Sequence, residues 1–290
     1  MRSDRLRRVA SRKAIEDRTR RVLVCLANDV LAGRIRSALH GHADLLPVAS
    51  FADLSAFFDD NGGAVDSIVV TPYDRTGTHA GPTIENVVKR YPHTAVVAYC
   101  SVGADHSASL RTMVVAGAHE FMFDGVDDRD RASTRALLDS AHRALAAETA
   151  ARSVASHVPP SLHPIVSTSA RNPTLRLPSE VGQALGVSAR ALCLWCTESN
   201  FMSPGALISW CRLVVAALRL DQRSTTVESV ALELGFSSGT GLQNLYARRL
   251  GCSAGTAQVR GGGSYVVGGF IDQLNAHAGP TSPRAVAPGP

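Results

Sequence analysis

Two stretches of the sequence, residues 179–197 and 226–249, carry side chains at helical spacing that can bind the edges of nucleic-acid bases. Their outward positions, in chain order, are Arg190, Cys193, Leu194, Thr240, Gln243 and Asn244. Asn and Gln can each form two hydrogen bonds to adenine, and Arg can form two to guanine. The residue types therefore favour contact with double-stranded DNA, and the second stretch is the better candidate because it offers two amides.

Each stretch repeats one arrangement that would place its outward residues on a helix. In the first stretch, Gly186 breaks a helix, Val187 plugs the turn, and Ser188 can cap a second helix. The equivalent residues of the second stretch are Gly235, Phe236 and either Ser237 or Ser238. The sequence therefore predicts two helix-turn-helix units.

A long helix is predicted between the two units. It begins at Ser203 and Pro204, a capping residue followed by proline at the first helical position. Its inward apolar positions are Leu207, Trp210, Leu213, Ala217 and Leu220. A rigid connecting helix would fix the distance between the two outward-facing helices, so that both could enter successive major grooves on one face of a duplex.

Residues 179–260 resemble the DNA-binding domain of the AraC/XylS family of transcription regulators. The matching pieces are LGVSARAL from Leu185, SPGAL from Ser203, RLVVA from Arg212, VALELGFSS from Val230 and, more weakly, RRLGCSA from Arg248. The resemblance implies an all-α domain of seven helices that binds double-stranded DNA. The sequence shows no clear first helix before Pro178.

Three positions depart from the family pattern. Leu194 and Asn244 stand where the family usually has Arg on its recognition helices, and Ala254 replaces the proline that closes the second unit. Because Leu cannot donate a hydrogen bond to a base edge, Arg190 is the guanine-reading candidate of the first unit. The predicted interface also includes Ser188, Ser238 and Arg248. Arg248 fits a phosphate contact and a helix C-terminal cation equally well.

Before residue 152 the pattern alternates between strands and helices. Short runs rich in Val, Leu and Ile, typical of buried parallel strands, begin at Arg21, Leu45, Ser67, Thr94 and Glu120. Amphipathic patterns lie between them, and a last helix is expected over residues 131–151. The sequence predicts an α/β domain over residues 21–151, with five strands in one doubly wound parallel sheet.

The strand order and lengths of residues 21–151, with GAHEFMF from Gly117, resemble a response-regulator receiver domain. On that pattern Thr71 takes the position of the phosphate-accepting Asp, and Asp124 that of the Lys that ends the fifth strand. Asp29 alone matches the acidic pair that holds magnesium, and one carboxylate is too little for a dedicated site. The resemblance implies a pseudo-receiver without phosphorylation chemistry, used for dimerisation, for contact with a partner such as RNA polymerase, or for an unknown ligand.

The remaining segments differ in composition. Residues 1–20 form a basic arm that we expect to be disordered, and residues 152–178, rich in Ser and Pro, are expected to form a linker with room for one short helix. Residues 261–290, rich in Gly and Pro, are expected to be disordered apart from a short apolar piece around Phe270. Basic ends around an acidic middle suit nucleic-acid binding, although a charge run is also typical of a solvated surface.

No catalytic residue, metal site or cofactor is predicted. Cys193 and Cys196 lie inside a helix without a second pair at zinc-ligand spacing, and the six cysteines are expected to be reduced. The GxSxG pattern from Gly235 follows a helix, whereas a nucleophile elbow must follow a strand. Without an apolar stretch of membrane-spanning length or an apolar N-terminal segment, the chain is expected in the cytoplasm and away from membranes.

Two functions from different classes remain open on the sequence alone. The first is a sequence-specific transcription factor with a non-phosphorylated regulatory domain. The second is a protein-interaction adaptor whose degenerate recognition helices no longer contact bases, as Leu194, Trp195, Gly239 and Gly241 suggest. Strongly salt-dependent binding to duplex DNA would support the first function.

Overall fold

Alternating strands and helices make up the first of two units into which the chain divides. The computed structural model describes residues 19–61, 65–101, 107–223 and 225–278. The first unit comprises residues 1–149 and 222–225, and the second comprises the rest of the chain. Most of the predicted basic arm, residues 1–18, and the end of the tail, residues 279–290, lie outside the described residues.

Five strands form the sheet of the first unit. They are β1 (Arg20–Cys25), β2 (Ala43–Pro47), β3 (Ser67–Val70), β4 (Ala95–Cys100) and β5 (Glu120–Phe123). All neighbouring strands run parallel, in the order β2-β1-β3-β4-β5. This is the doubly wound, flavodoxin-like order that receiver domains share. The predicted five-stranded parallel sheet is therefore confirmed.

Helices cover both faces of the sheet. They are α1 (Asp29–Leu39), α2 (Phe51–Asn61), α3 (Gly81–Arg90), α4 (Ser107–Ala116) and α5 (Arg131–Ala155). Leu23 and Ile68 of the sheet pack in one buried cluster with α2, α3 and α4. Val24 and Val69, the next residues along their strands, pack in a second cluster with α1 and α5. Because both faces are buried, the strands are almost continuous apolar runs in the sequence.

The described part of the second unit is helical. Its helices are α6 (His163–Arg171), α7 (Pro178–Leu185), α8 (Ala189–Glu198), α9 (Pro204–Leu220), α10 (Val227–Glu233), α11 (Gly239–Leu250), α12 (Ala254–Val259) and α13 (Gly262–Ala278), with a 3-10 turn at Pro160–Leu162. All five apolar residues predicted to face inward on α9 are buried. An α/β part followed by an all-α part confirms the predicted fold class. Among the described residues, no helix is both long and apolar enough to cross a lipid bilayer.

Residues 152–178, expected to form a linker, are largely helical. They contain the end of α5, the 3-10 turn and α6. Pro164 and Pro178 stand in the first turns of α6 and α7, where the missing N–H removes no intrahelical hydrogen bond. Ile165 and Val166 of α6 are fully buried, and α6 packs against α9. This helix is the one that was missing from the sequence pattern before Pro178.

Helix α13 corrects a second expectation, that the tail is disordered around a short apolar piece. Phe270 is fully buried beside Trp210, whose indole Nε1 donates to Gln273 Oε1 at 2.6 Å. Glycine lets the two helix backbones approach, because a Cβ at Gly263 would lie 2.7 Å from the side chain of Leu218. Gly263 therefore serves close packing of α13 on α9.

Candidate nucleic-acid interface

The two helix-turn-helix units end their first helices with the same hydrogen bond. In the first unit the N–H of Val187 donates to Gly182 O at 2.9 Å, and in the second the N–H of Phe236 donates to Ala231 O at 2.9 Å. The residues just before these donors, with φ of 71° and 77°, are Gly186 and Gly235. This closure around a left-handed residue is the Schellman ending, which Gly adopts without strain. The same turn thus leads from α7 into α8 and from α10 into α11.

The local sequence of the first unit fits this turn closely. A Cβ at position 182 would lie 2.7 Å from Val187 O, so a larger residue there would force this turn to shift, whereas the second unit accommodates Ala231 at the equivalent position. Ser188 caps α8 as predicted, because its Oγ accepts the N–H of Ala191 at 3.2 Å. At the start of α7, the Glu180 carboxylate accepts the N–H of Leu177 at 2.9 Å. Both helices of the unit therefore begin at residues with bonded caps.

The second unit caps its outward helix differently. Ser238 occupies the N-cap position of α11, but its side chain makes no capping hydrogen bond. Instead Glu228, in the first turn of α10, accepts the N–H of Gly239 through Oε2 at 2.6 Å. A carboxylate beside a helix N-terminus is stabilising because of the helix dipole. Sequence reasoning missed Glu228, since its partner lies on the next helix.

On α8 and α11 the buried side chains lie on one side of the helix and the exposed side chains on the other. The inward residues, all buried, are Leu192 and Cys196 on α8 and Leu242, Leu245 and Tyr246 on α11. The exposed residues among those predicted to face DNA are Ser188, Arg190, Cys193, Leu194, Thr240, Asn244 and Arg248. Each helix is thus fixed by its inner side and free to contact a ligand with its outer side.

Gln243 is the predicted interface residue with the clearest internal partner. It is half-buried, and its Oε1 accepts the N–H of Ala254, at the start of α12, at 2.9 Å. Two hydrogen bonds to adenine require both the oxygen and the nitrogen of an amide. Asn244 is exposed, and its side chain forms no intramolecular hydrogen bond within the described residues. Of the two amides, Asn244 is therefore the one with both atoms available.

Two buried arginines join α9 to neighbouring segments, namely Pro173 after α6 and the end of α10. Arg212, 6% exposed, donates from Nε to Pro173 O at 2.6 Å and from Nη2 to Leu234 O at 2.8 Å. Its guanidinium lies 4.4 Å from the ring centre of Phe236, and burial lowers the pKa of Arg212 to about 10. Arg219 binds Glu233 through two hydrogen bonds of 2.9 and 2.8 Å. Part of the positive charge of this region is therefore structural.

Several described side chains at the carboxyl edge of the N-terminal sheet, where doubly wound folds bind ligands, make internal contacts. Thr71 is 5% exposed and donates its hydroxyl proton to the carbonyl of Tyr73 at 2.7 Å. Asp124 forms an ion pair with Arg34, and Asp29 forms one with Arg75. Across the described residues, no three His, Cys, Asp or Glu side chains come together as a metal site.

Asp128 is a well-bonded carboxylate at this edge. It accepts from Tyr99 Oη at 2.6 Å, from the N–H of Gly125 at 2.7 Å and from Arg34 Nη1 at 2.8 Å. Burial opposes the ionised form, but these hydrogen bonds outweigh it and hold the pKa of Asp128 below its ordinary value. Arg34 therefore neutralises part of the acidic charge that Asp124 and Asp128 place at this edge.

Comparison with known proteins gives one family match and several similar folds. Residues 181–260 match the model of a family described as "Helix-turn-helix domain", and a search of curated proteins found no match. A receiver domain of a response regulator from Clostridium thermocellum is 19% identical over 41% of this chain and 94% of that one, with a TM-score of 0.34. CheY4 of Vibrio cholerae is 10% identical over 43% and 99%, with a TM-score of 0.36. RcsB from Salmonella enterica serovar Typhimurium, bound to a promoter, is 10% identical over 67% and 98%, with a TM-score of 0.35.

The family match and the geometry cover the same elements. The matched residues run from within α7 to the end of α12, and so include both Schellman turns and the connecting helix α9. The pieces that carried the resemblance in the sequence lie in this range. Residues 181–260 of this chain are a helix-turn-helix domain of the AraC type.

Proposed function

We propose that the protein is a sequence-specific transcriptional regulator that binds double-stranded DNA through α8 and α11. The repeated turn is the observation that carries the proposal, because two helices follow the same Schellman ending, each buried inside and exposed outside. Helix α9, buried along most of its length, ties the two units together. Two helices held in this way suit successive major grooves on one face of a duplex. On this proposal residues 179–260 bind DNA and residues 21–151 regulate that binding.

Asn244 is the residue to which we assign base recognition in the second unit. Its exposed amide has both atoms available for adenine, and Thr240 lies one helical turn earlier on the same face. Arg190 offers the first unit a guanidinium for guanine. Arg248, exposed at the last turn of α11, is assigned to the phosphate backbone, which positions a protein without specifying sequence.

The experiment that tests this function uses the full chain and a pool of randomised duplexes. Bound duplexes are sequenced, and the Kd of a selected and a scrambled duplex is measured at several salt concentrations. We expect at least about 1,000-fold tighter binding to the selected duplex, and a linear dependence of log Kd on log salt for both. Equal Kd values would refute sequence specificity. No salt-dependent duplex binding would favour the adaptor function.

The variant Asn244→Ala separates base recognition from general affinity. Loss of one two-bond contact should weaken binding to the selected duplex by about 10- to 100-fold and leave binding to the scrambled duplex nearly unchanged. Asn61→Ala, an exposed asparagine on α2, is the matched control and should change neither Kd. Equal losses on both duplexes would contradict the assignment of Asn244 to a base.

We propose further that the N-terminal domain regulates without aspartyl phosphorylation. Thr71 cannot form an acyl phosphate, and Asp74, the next acid after β3, is 5% exposed and accepts the N–H of Phe51 at 2.9 Å. Asp124 stands where the charge-stabilising Lys would be needed. Incubation with acetyl phosphate and magnesium should leave the intact mass unchanged. A stoichiometric, acid-labile phosphate adduct would overturn this part of the proposal.

A further inference from the structure

The outward face of α8 is apolar at its centre. Leu194 is 49% exposed, and Cys193 beside it is also exposed. The polar groups around them serve the helix itself, since the Thr197 hydroxyl donates to Cys193 O at 2.9 Å. Ser188 is likewise engaged as the N-cap. Arg190 and Leu194 lie one helical turn apart on this face, and the exposed Glu198 follows them at the C-terminal end of the helix.

Leu194 belongs neither to the buried core cluster nor to the partly buried residues packed against it. The inner side of α8 is filled by Leu192 and Cys196, which are 0% and 2% exposed. An exposed leucine gains free energy only when a partner removes it from water. In the major groove the C5-methyl of thymine is the apolar group that a leucine can cover, while the other groups that identify a base are hydrogen-bond donors and acceptors. Covering those polar atoms with leucine would remove their water without replacing its hydrogen bonds.

We propose that Leu194 recognises the C5-methyl group of a thymine beside the guanine that Arg190 contacts. This inference rests on the proposed function and specifies the base chemistry of the first unit. Residues four apart on a helix are separated by about 6 Å along the helix axis, so the bases that they contact lie at most about two base-pair steps of 3.4 Å apart. The first half of the binding site therefore places thymine within about two base pairs of guanine.

The test removes single methyl groups from the DNA. The full chain selects its duplex from a randomised pool, and each thymine of the selected site is then replaced in turn by deoxyuridine, which differs only by the C5-methyl. The guanine contacted by Arg190 is identified as the position at which Arg190→Ala no longer prefers guanine. Replacing one thymine close to that guanine should weaken binding by about fourfold, which is the effect of one buried methyl. In Leu194→Ala the same replacement should change Kd by less than about 1.5-fold, because the methyl has lost its partner.

A matched leucine controls for general effects of truncation. Leu232 is 56% exposed on α10, outside both outward helices, and Leu232→Ala should keep the full deoxyuridine effect. If no deoxyuridine replacement weakens binding of the unmodified protein, or if Leu194→Ala retains the effect, the inference is wrong while specific DNA binding stands. If the pool yields no preferred sequence, the proposed function fails and this inference fails with it.

Discussion

Replacing Arg212 by Ala should destabilise the helical unit strongly. The Arg212 guanidinium, carried by α9, binds the carbonyls of Pro173 after α6 and Leu234 at the end of α10. The change leaves both carbonyls without this donor, in surroundings where Arg212 itself is 6% exposed. A buried acceptor that loses its partner costs about 1–3 kcal/mol.

The net effect is smaller than the sum of the lost contacts. The contact with the Phe236 ring contributes about 1 kcal/mol more to the wild type. Against this, the Ala variant no longer buries a charge, and that burial is the reason the pKa of Arg212 falls to about 10. We therefore expect a net loss of about 3 kcal/mol in the free energy of unfolding.

Tryptophan fluorescence during urea unfolding measures this loss in the full chain. The two tryptophans of the protein, Trp195 and Trp210, both lie in the helical unit, so their signal follows that unit. Arg212→Lys keeps the charge but lacks the planar fork that reaches both carbonyls, and should lose an intermediate amount. Arg190→Ala, at an exposed position, should change stability by no more than about 0.5 kcal/mol. An Arg212→Ala variant that unfolds at the wild-type urea concentration would refute the reasoning.

Other contacts give predictions of the same kind. Gln243→Ala should lose about 1 kcal/mol in the urea assay because Ala254 loses its acceptor, and Gln243→Glu, which keeps an acceptor, should lose less. Gly268→Ala should stabilise α13 by about 0.5–1 kcal/mol, since nothing lies within 4 Å of the added Cβ, whereas Gly263→Ala should destabilise it through contact with Leu218. Asp128 has a lowered pKa, so its stabilising effect is present above about pH 4 and is lost as the pH falls through the folded-state value. Calorimetry of the full chain should therefore show a melting temperature that falls less steeply with acid in Asp128→Asn than in the wild type. The exposed control Asp60→Asn should follow the wild-type profile. Identical profiles for wild type and Asp128→Asn would contradict this prediction.

The features that the sequence predicts well are those whose cause is local. A glycine at the end of an apolar helix, followed by an apolar plug, determines the Schellman turn within six residues, so both turns were predictable at Gly186 and Gly235. The parallel strands were predictable for a similar reason, since burial on both faces favours apolar side chains at nearly every position of the central strands.

The features that the sequence hides depend on tertiary contacts. Helix α13 contains glycines at positions 262, 263, 268 and 269, which oppose a helix locally, yet burial of Phe270 against α9 stabilises one. The role of Gln243 is hidden in the same way. Its outward position follows from helical spacing, but its bond to Ala254 depends on where α12 returns to α11. A polar residue on a helix face is thus a candidate for recognition only after its internal partners are known.

The chemical difference between α8 and α11 determines what kind of site one chain can bind. The side chains assigned to bases are a guanidinium and an apolar leucine on α8, and an amide with a neighbouring hydroxyl on α11. Two identical helices would require a site with two repeated halves, but unequal helices joined by α9 require two unequal halves in a fixed order. If the proposed base assignments hold, we expect an asymmetric site with a defined direction, because turning it around would place Asn244 opposite the thymine and guanine edges proposed for α8. Neither helix could then form its two-bond contact, and the reversed arrangement would lose the contacts of both units together.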